Sequence, residues 1–249
     1  AGAQLAGWLY AHLSPQSVYY CVLVTILLSF LTLGAIRIDK TSRVQKEAVS
    51  ILPLLHNGPY LFFLLLMGLV SGVGNIGHTY IPALLMDSGL PVQIASTVVA
   101  ISVVVEAPLI FFSDRFMDHW PLRLLILLPV GILLLQYFIY ALPSPVFLKV
   151  LVTLLAKHTT GMVLVMVSLR FISQQVDKKD LVLAMAILQG VRYLGTILLQ
   201  PVAAFFVDHG GFSMMSSFLV AVLILVLLLS IFLKLPKGKS PGLFGSMKE

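Results

Sequence analysis

The chain has 249 residues, of which 59% are hydrophobic and only 10% charged, with a mean hydropathy of +1.03. A soluble domain carries roughly 25% charged residues, so this composition excludes a water-soluble globular fold and predicts an all-α membrane protein. The net charge of +6 sits in short loops between apolar runs, which is a pattern of membrane orientation and not of nucleic-acid binding. The single cysteine, Cys21, excludes a disulfide framework and a cysteine-built zinc site.

Residues 1–10 read as the last turns of a helix already under way, with no signal peptide. The sequence therefore reads as the C-terminal part of a longer polypeptide whose first helices are missing. A helix needs about 20 apolar residues to cross a hydrocarbon core of roughly 30 Å. Seven segments qualify: about 17–37, 59–83, 92–113, 121–142, 146–171, 181–207 and 213–234. Irregular backbone facing lipid would leave N–H and C=O groups unpaired, so these runs must be helices.

Gly and Pro mark one set of connectors, such as Asp87-Ser88-Gly89-Leu90-Pro91, Leu142-Pro143-Ser144-Pro145 and His209-Gly210-Gly211. Charge marks the other set: Asp39 to Glu47, Asp114 to Arg123 and Asp177 to Asp180. Thirteen of the 16 Lys and Arg residues fall on the side of the charged set, Arg170 among them. Lys149 is alone on the other side, and Lys157 and Arg192 lie within helices. This asymmetry predicts a cytoplasmic C-terminus. The stretch Arg37 to Asn57 reads as a cytoplasmic linker, and Val49 to Leu55 in it as a short interfacial helix. A loose repeat pairs Ala6-Gly7-Trp8-Leu9-Tyr10-Ala11-His12 with Ala203-Ala204-Phe205-Phe206-Val207-Asp208-His209, six helices apart. Two related six-helix halves are a known transporter layout.

Taken together, the chain resembles the major facilitator superfamily from the end of helix 5 through helix 12. Four features carry the resemblance. The long basic connector matches the central loop of that family. Phe112-Ser113-Asp114-Arg115-Phe116-Met117-Asp118 matches the Asp-Arg core of its signature loop, without the family's glycines and paired basic residues. Gln189-Gly190-Val191-Arg192-Tyr193-Leu194-Gly195 through Gln200-Pro201 resembles its helix 11, and Phe206 to Phe212 the exit toward helix 12. The intramembrane charges resemble those of the sugar–proton symporters of the lactose-permease type. Lys157 falls near the helix 10 His of that branch, but Thr160 stands where its acidic partner is expected.

The resemblance implies a polytopic transmembrane helix bundle, the second half of a 12-helix fold plus helix 6. Residues 1–38 are then the end of helix 5 and helix 6, and 39–57 the central cytoplasmic loop. Residues 58–236 form the C-terminal six-helix bundle, and 237–249 a cytoplasmic tail. The implied function is secondary active transport of a small polar solute, a sugar above all, coupled to protons by alternating access. The implied place is the cytoplasmic membrane, with the lipid bilayer and the polar substrate as partners. No cofactor is implied beyond a proton gradient. Efflux of sugars or drugs by the same superfamily is the alternative. A seven-helix receptor or retinal pump is more remote, because 213–233 contains no Lys. Phosphate loops, His-Glu-x-x-His and nucleophile elbows do not occur, so the sequence gives no support to an enzyme.

A charge at mid-membrane costs about 2.5–3.5 kcal/mol on insertion scales, and such residues line cavities or pair with each other. Glu106 lies about eight residues, or about 12 Å, from the cytoplasmic end of its helix. It is the candidate proton carrier, with a fixed ion pair to Arg192 as the structural alternative. Lys157 lies near the midplane, on a polar stripe with Thr153, Thr160, Gly161 and Ser168 that should face the bundle interior. His158 reads as a packed helix residue. Arg192, with Gln189, Thr196 and Gln200 on its stripe, suits either the Glu106 carboxylate or substrate hydroxyls. Asn75 and His78 stand beside Gly72, Gly74 and Gly77, glycines that allow close helix approach. The candidate substrate-binding set is therefore Asn75, His78, Lys157, Gln189 and Arg192. Glu106 and Arg192 are the proton-coupling candidates. Gln136 reads as helix–helix glue, and Asp114 with Arg115 as a gate at the cytoplasmic mouth.

Overall fold

A computed structural model describes residues 15–35, 51–117 and 119–235. The expected helix stub at Ala1, most of the linker and the C-terminal tail lie outside these residues. In chain order the helices are α1 (Pro15–Ala35), α2 (Leu52–Leu55), α3 (Gly58–Asp87), α4 (Val92–Phe111) and α5 (Ser113–Met117). They continue with α6 (Leu122–Ala141), α7 (Val146–Ala156), α8 (Thr159–Gln175) and α9 (Leu181–Ser230), a 3-10 turn at Lys178–Asp180 preceding the last. No strand occurs among the described residues.

The helix starts follow the local chemistry. Pro91, Pro121 and Pro145 each immediately precede a helix in extended conformation, where a missing N–H costs nothing. Asn57 caps α3 by accepting from the Tyr60 amide at 3.1 Å. Gly58–Asp87, Leu122–Ala141, Val146–Gln175 and Lys178–Ser230 are long and apolar enough to cross a membrane. Tyr19–Thr32 and Val92–Pro108 are shorter apolar stretches. In α1 the hydroxyls of Thr25, Ser29 and Thr32 bond carbonyls one turn back, and its apolar residues, such as Phe30 and Leu31, are exposed.

Two expected helix boundaries differ. The segments expected at 181–207 and 213–234 run as one element broken at Gly211, whose φ of 70° and ψ of −170° suit glycine alone. The two parts run in opposite directions. Before the break, Tyr60 bonds Ala184 O and Asn75 bonds Thr196, so the chain rises with α3. After it, Ser213 bonds Ala141 O and Arg123 bonds Ile231 O, so the chain descends against α6. The segment expected at 146–171 is interrupted at Lys157-His158 and resumes as α8. The run His158-Thr159-Thr160-Gly161 is made of poor helix formers, which explains where it yields.

Cross-links at both ends hold these directions. At the basic end, Asn57 Nδ2 donates to Gln175 O at 3.1 Å, and Phe63 stacks on Phe171 at 4.0 Å between centroids. At the other end, Lys149 Nζ donates to Ser88 Oγ at 3.1 Å. Between them α3 and α9 meet through glycine. A Cβ on Gly72 would lie 2.9 Å from Gly195 O, and one on Gly195 would strike Gly68 O. Helices that touch backbone to backbone gain packing that lipid tails cannot supply. Tyr137, buried in α6, donates to Val73 O at 3.0 Å and lies against Gly77, fastening a third helix to the pair.

Gly72→Leu is expected to lower the apparent melting temperature in detergent, with overpacking costing about 1–3 kcal/mol. Gly74→Ala, where a Cβ meets nothing within 4 Å, is the control. It is expected to match or exceed the parent, because Ala is the better helix former. Equal melting of all three proteins would contradict the glycine contact.

Candidate functional site

Ser71, Asn75 and His78 follow each other at spacings of four and three along α3, so they share one face. The close glycine crossing brings that face against α9. Arg192 Nε donates to Ser71 Oγ at 2.8 Å, and Arg192 Nη1 to Gln189 Oε1 at 3.3 Å. Asn75 Nδ2 donates to Thr196 Oγ1 at 2.8 Å, and Thr196 in turn to Arg192 O at 3.2 Å. These bonds form a polar seam across two helices. Gln189 is exposed, while Asn75 and Arg192 are half-buried.

The third residue of the α3 face opens a second group. The His78 ring meets the His158 ring edge-on, with centroids 5.2 Å apart. His158 Nδ1 lies 3.9 Å from Glu106 Oε2, with both side chains about four-fifths buried. Lys157, 7% exposed, immediately precedes His158 in the chain. The helix interruption explains the arrangement. Lys157 terminates α7 and His158 precedes α8. The cation therefore sits at the negative end of one helix, and the carboxylate beside the positive end of the next. The neighbouring polar residues are satisfied locally and buried: Thr160 bonds Ala156 O and Ser168 bonds Leu164 O. As expected, this stripe faces the interior.

Several sequence readings change. Glu106 does not pair with Arg192. Among the described residues its carboxylate lies 3.9 Å from His158 Nδ1, a contact that is an ion pair only when the imidazole is protonated. Arg192 is held by Ser71 and Gln189 instead. Ser71 was missed, although its spacing to Asn75 and His78 was a readable signal. Arg170, counted with the basic loops, is 6% exposed and lies within α8. Its Nη1 donates to Met117 O and to Trp120 O, the latter at 2.9 Å. It thus ties α8 to the turn that follows α5, beside the expected gate. Arg115 is exposed, with its guanidinium 5.0 Å from the Phe112 ring centre. The Asp114 side chain lies outside those described. Gln136 acts as glue through Tyr140 of its own helix, whose hydroxyl meets Thr153 Oγ1 of α7 at 2.6 Å.

Long apolar helices of opposite direction with two polar groups between them are consistent with a membrane bundle, and the sequence comparison decides the family. Residues 3–198 match the MFS_1 like family. The chain belongs to it. This family member is accordingly a multi-pass membrane protein of the major facilitator transporter kind. No curated protein and no solved structure matches the chain.

The Asn75–Thr196 bond gives a direct check of the seam. A double-mutant cycle of Asn75→Ala and Thr196→Val is expected to return a coupling of about 0.6 kcal/mol and at most about 1.7, the range for bonds between membrane helices. Additive effects in the cycle would mean that the two side chains do not interact.

Proposed function

We propose that this chain forms the C-terminal half of a secondary active transporter that moves a small polar solute, a sugar, together with protons. The observation that supports this reading best is the meeting of Glu106, His158, His78 and Lys157 at an interrupted helix. Ionisable groups are costly in a membrane and persist where a pathway or a relay uses them. A carboxylate beside an imidazole can exchange a proton without separating charge over a long distance. Broken helices around a midplane site are also a recurring device of transporters, because their ends supply partial charges to ions and substrates.

In this reading Glu106 carries the coupling proton and His158 is its partner. Arg192 acts from across the bundle through the α3 face. Asn75, His78, Lys157, Gln189 and Arg192 supply donors and acceptors to the solute. Residues 1–38 belong to the N-terminal bundle, 39–57 to the central cytoplasmic loop, 58–236 to the C-terminal bundle and 237–249 to a cytoplasmic tail. Asp114 and Arg115 gate the cytoplasmic mouth, with Arg170 as the tie that holds the same turn. The cycle is alternating access in the cytoplasmic membrane, driven by the proton gradient with no other cofactor.

The test is a pH recording on vesicles containing the full-length protein while sugars, and then drugs, are added. A sugar-dependent proton flux is expected, and Glu106→Gln is expected to lower it by at least tenfold while substrate binding survives. His158→Gln should reduce the flux, with Arg192→Lys retaining more of it than Arg192→Gln. Undiminished flux in Glu106→Gln would leave that residue a structural partner of His158. Flux evoked by drugs alone would favour efflux.

A further inference from the structure

Among the described residues, nothing balances the charge of Lys157. The residue is 7% exposed and sits where α7 gives way to α8. Its backbone amide donates to Thr153 O at 3.2 Å, but its ammonium makes no hydrogen bond and no ion pair with any described residue. The end of α7 offers it a partial charge only, about half a unit. Buried ammonium groups are otherwise paired or give up their charge. Glu106 does not supply the missing charge, because its carboxylate lies beside His158. The nitrogen nevertheless stays open to a ligand. Gln136 Oε1 and Thr159 Oγ1 are both unbonded and sealed, whereas Lys157 Nζ, also unbonded, is not sealed.

Arg192 is the contrasting case. It is half-buried, and it donates from Nε to Ser71 Oγ at 2.8 Å and from Nη1 to Gln189 Oε1 at 3.3 Å. A guanidinium is more weakly hydrated than an ammonium, so neutral oxygens hold it at moderate cost. The lysine head is a compact, strongly hydrated charge with three donors to satisfy. The two polar groups thus hold two permanent cations, Lys157 and Arg192, against one carboxylate, Glu106. The unmet need is one negative charge with acceptor oxygens, placed at Lys157.

We propose that the transported solute is an acid, and that its carboxylate binds the Lys157 ammonium. The inference rests on the reading of this site as that of a sugar–proton carrier, and it narrows the solute to a sugar acid of the hexuronate kind. A carboxylate offers acceptors only, and it pairs with an ammonium through short charge-assisted bonds. One ammonium offsets one charge. A phosphate ester, with close to two, would leave the second unpaired in a low-dielectric site. A neutral hexose would leave Lys157 a buried charge without a counter-charge. Asn75 and Gln189 are neutral, and they suit the hydroxyls that the acid shares with the hexose. Glu106 fits the same scheme. With its proton on, it does not repel a second carboxylate, so proton and acid favour each other's binding.

The test is equilibrium dialysis of the full-length protein in detergent against labelled glucuronate and glucose, and against galacturonate and galactose, beside proton flux in vesicles. The members of each pair differ only in carrying a carboxylate or a hydroxymethyl group. At least one acid is expected to bind about tenfold tighter than its hexose, the scale of one charge-assisted bond. Lys157→Gln should remove that preference, and Lys157→Arg, which keeps the charge, should retain most of it. The comparison within the unmodified protein needs no variant to fold. Hexoses that bind as tightly as their acids, or no binding by either acid, would overturn the proposal. A preference that persists in Lys157→Gln would do the same, as would tighter binding of glucose 6-phosphate than of glucuronate. Lys157-dependent binding of an acid without proton flux would uphold the proposal and overturn the symport reading. Proton flux with a hexose alone would do the reverse.

Discussion

In hydrocarbon there is no water for a helix to escape, so helices associate only by fitting each other closely or by bonding across the contact. The crossing of α3 and α9 does both, and the rest of the site depends on it. Gly68, Gly72 and Gly195 remove the side chains that would hold the two backbones apart. At that spacing short polar side chains reach across. Ser71 meets Arg192 and Asn75 meets Thr196, each at 2.8 Å. A larger residue at any of the three glycines would separate the helices and leave a guanidinium without its serine.

The same face of α3 carries His78 toward the second polar group, so one helix serves both. That group gathers where the span Val146–Gln175 is locally interrupted, at Lys157 and His158, both still in helical conformation. An interruption inside a membrane exposes backbone groups, and it is tolerated where protein surrounds it. Here it sets Lys157 at one helix end and His158 at the next, and places Glu106 beside them. The charges and the helix ends offset each other, which lowers the cost of holding either at this depth. The site is therefore electrostatically compact without a strong ion pair. At 3.9 Å the Glu106–His158 contact is longer than a hydrogen bond.

At the basic end of the bundle, side chains hold carbonyl oxygens and not other side chains. Asn57 takes Gln175 O, Tyr60 takes Ala184 O, Arg123 takes Ile231 O and Arg170 takes Met117 O and Trp120 O. Gln175 O, Met117 O and Ile231 O lie at helix C-terminal ends and have no intrahelical partner, so these donors satisfy groups that would otherwise need water. Such ties join elements far apart in the chain. They tie α3, α5, α6, α8 and α9 to one another at that end.

The helical class was legible in the sequence, and so were the opposite directions of the runs at 181–207 and 213–234, because they depend on the length of apolar runs and on what separates them. The stripe of Thr153, Thr160 and Ser168 announced an inward face, and the glycines beside Asn75 announced a close approach. Tertiary structure alone decided the partners. That Glu106 faces His158 and not Arg192, that Arg170 is buried among carbonyls, and that Gln136 bonds Tyr140, which meets Thr153, depend on how each helix is rotated and where it crosses its neighbours. Those quantities come from packing between segments more than a hundred residues apart in some cases, as for Ser71 and Arg192. No local pattern encodes them. The interruption at Lys157-His158 stands between the two: its weak helix formers were visible, but only the surrounding helices determine that breaking there costs less than continuing.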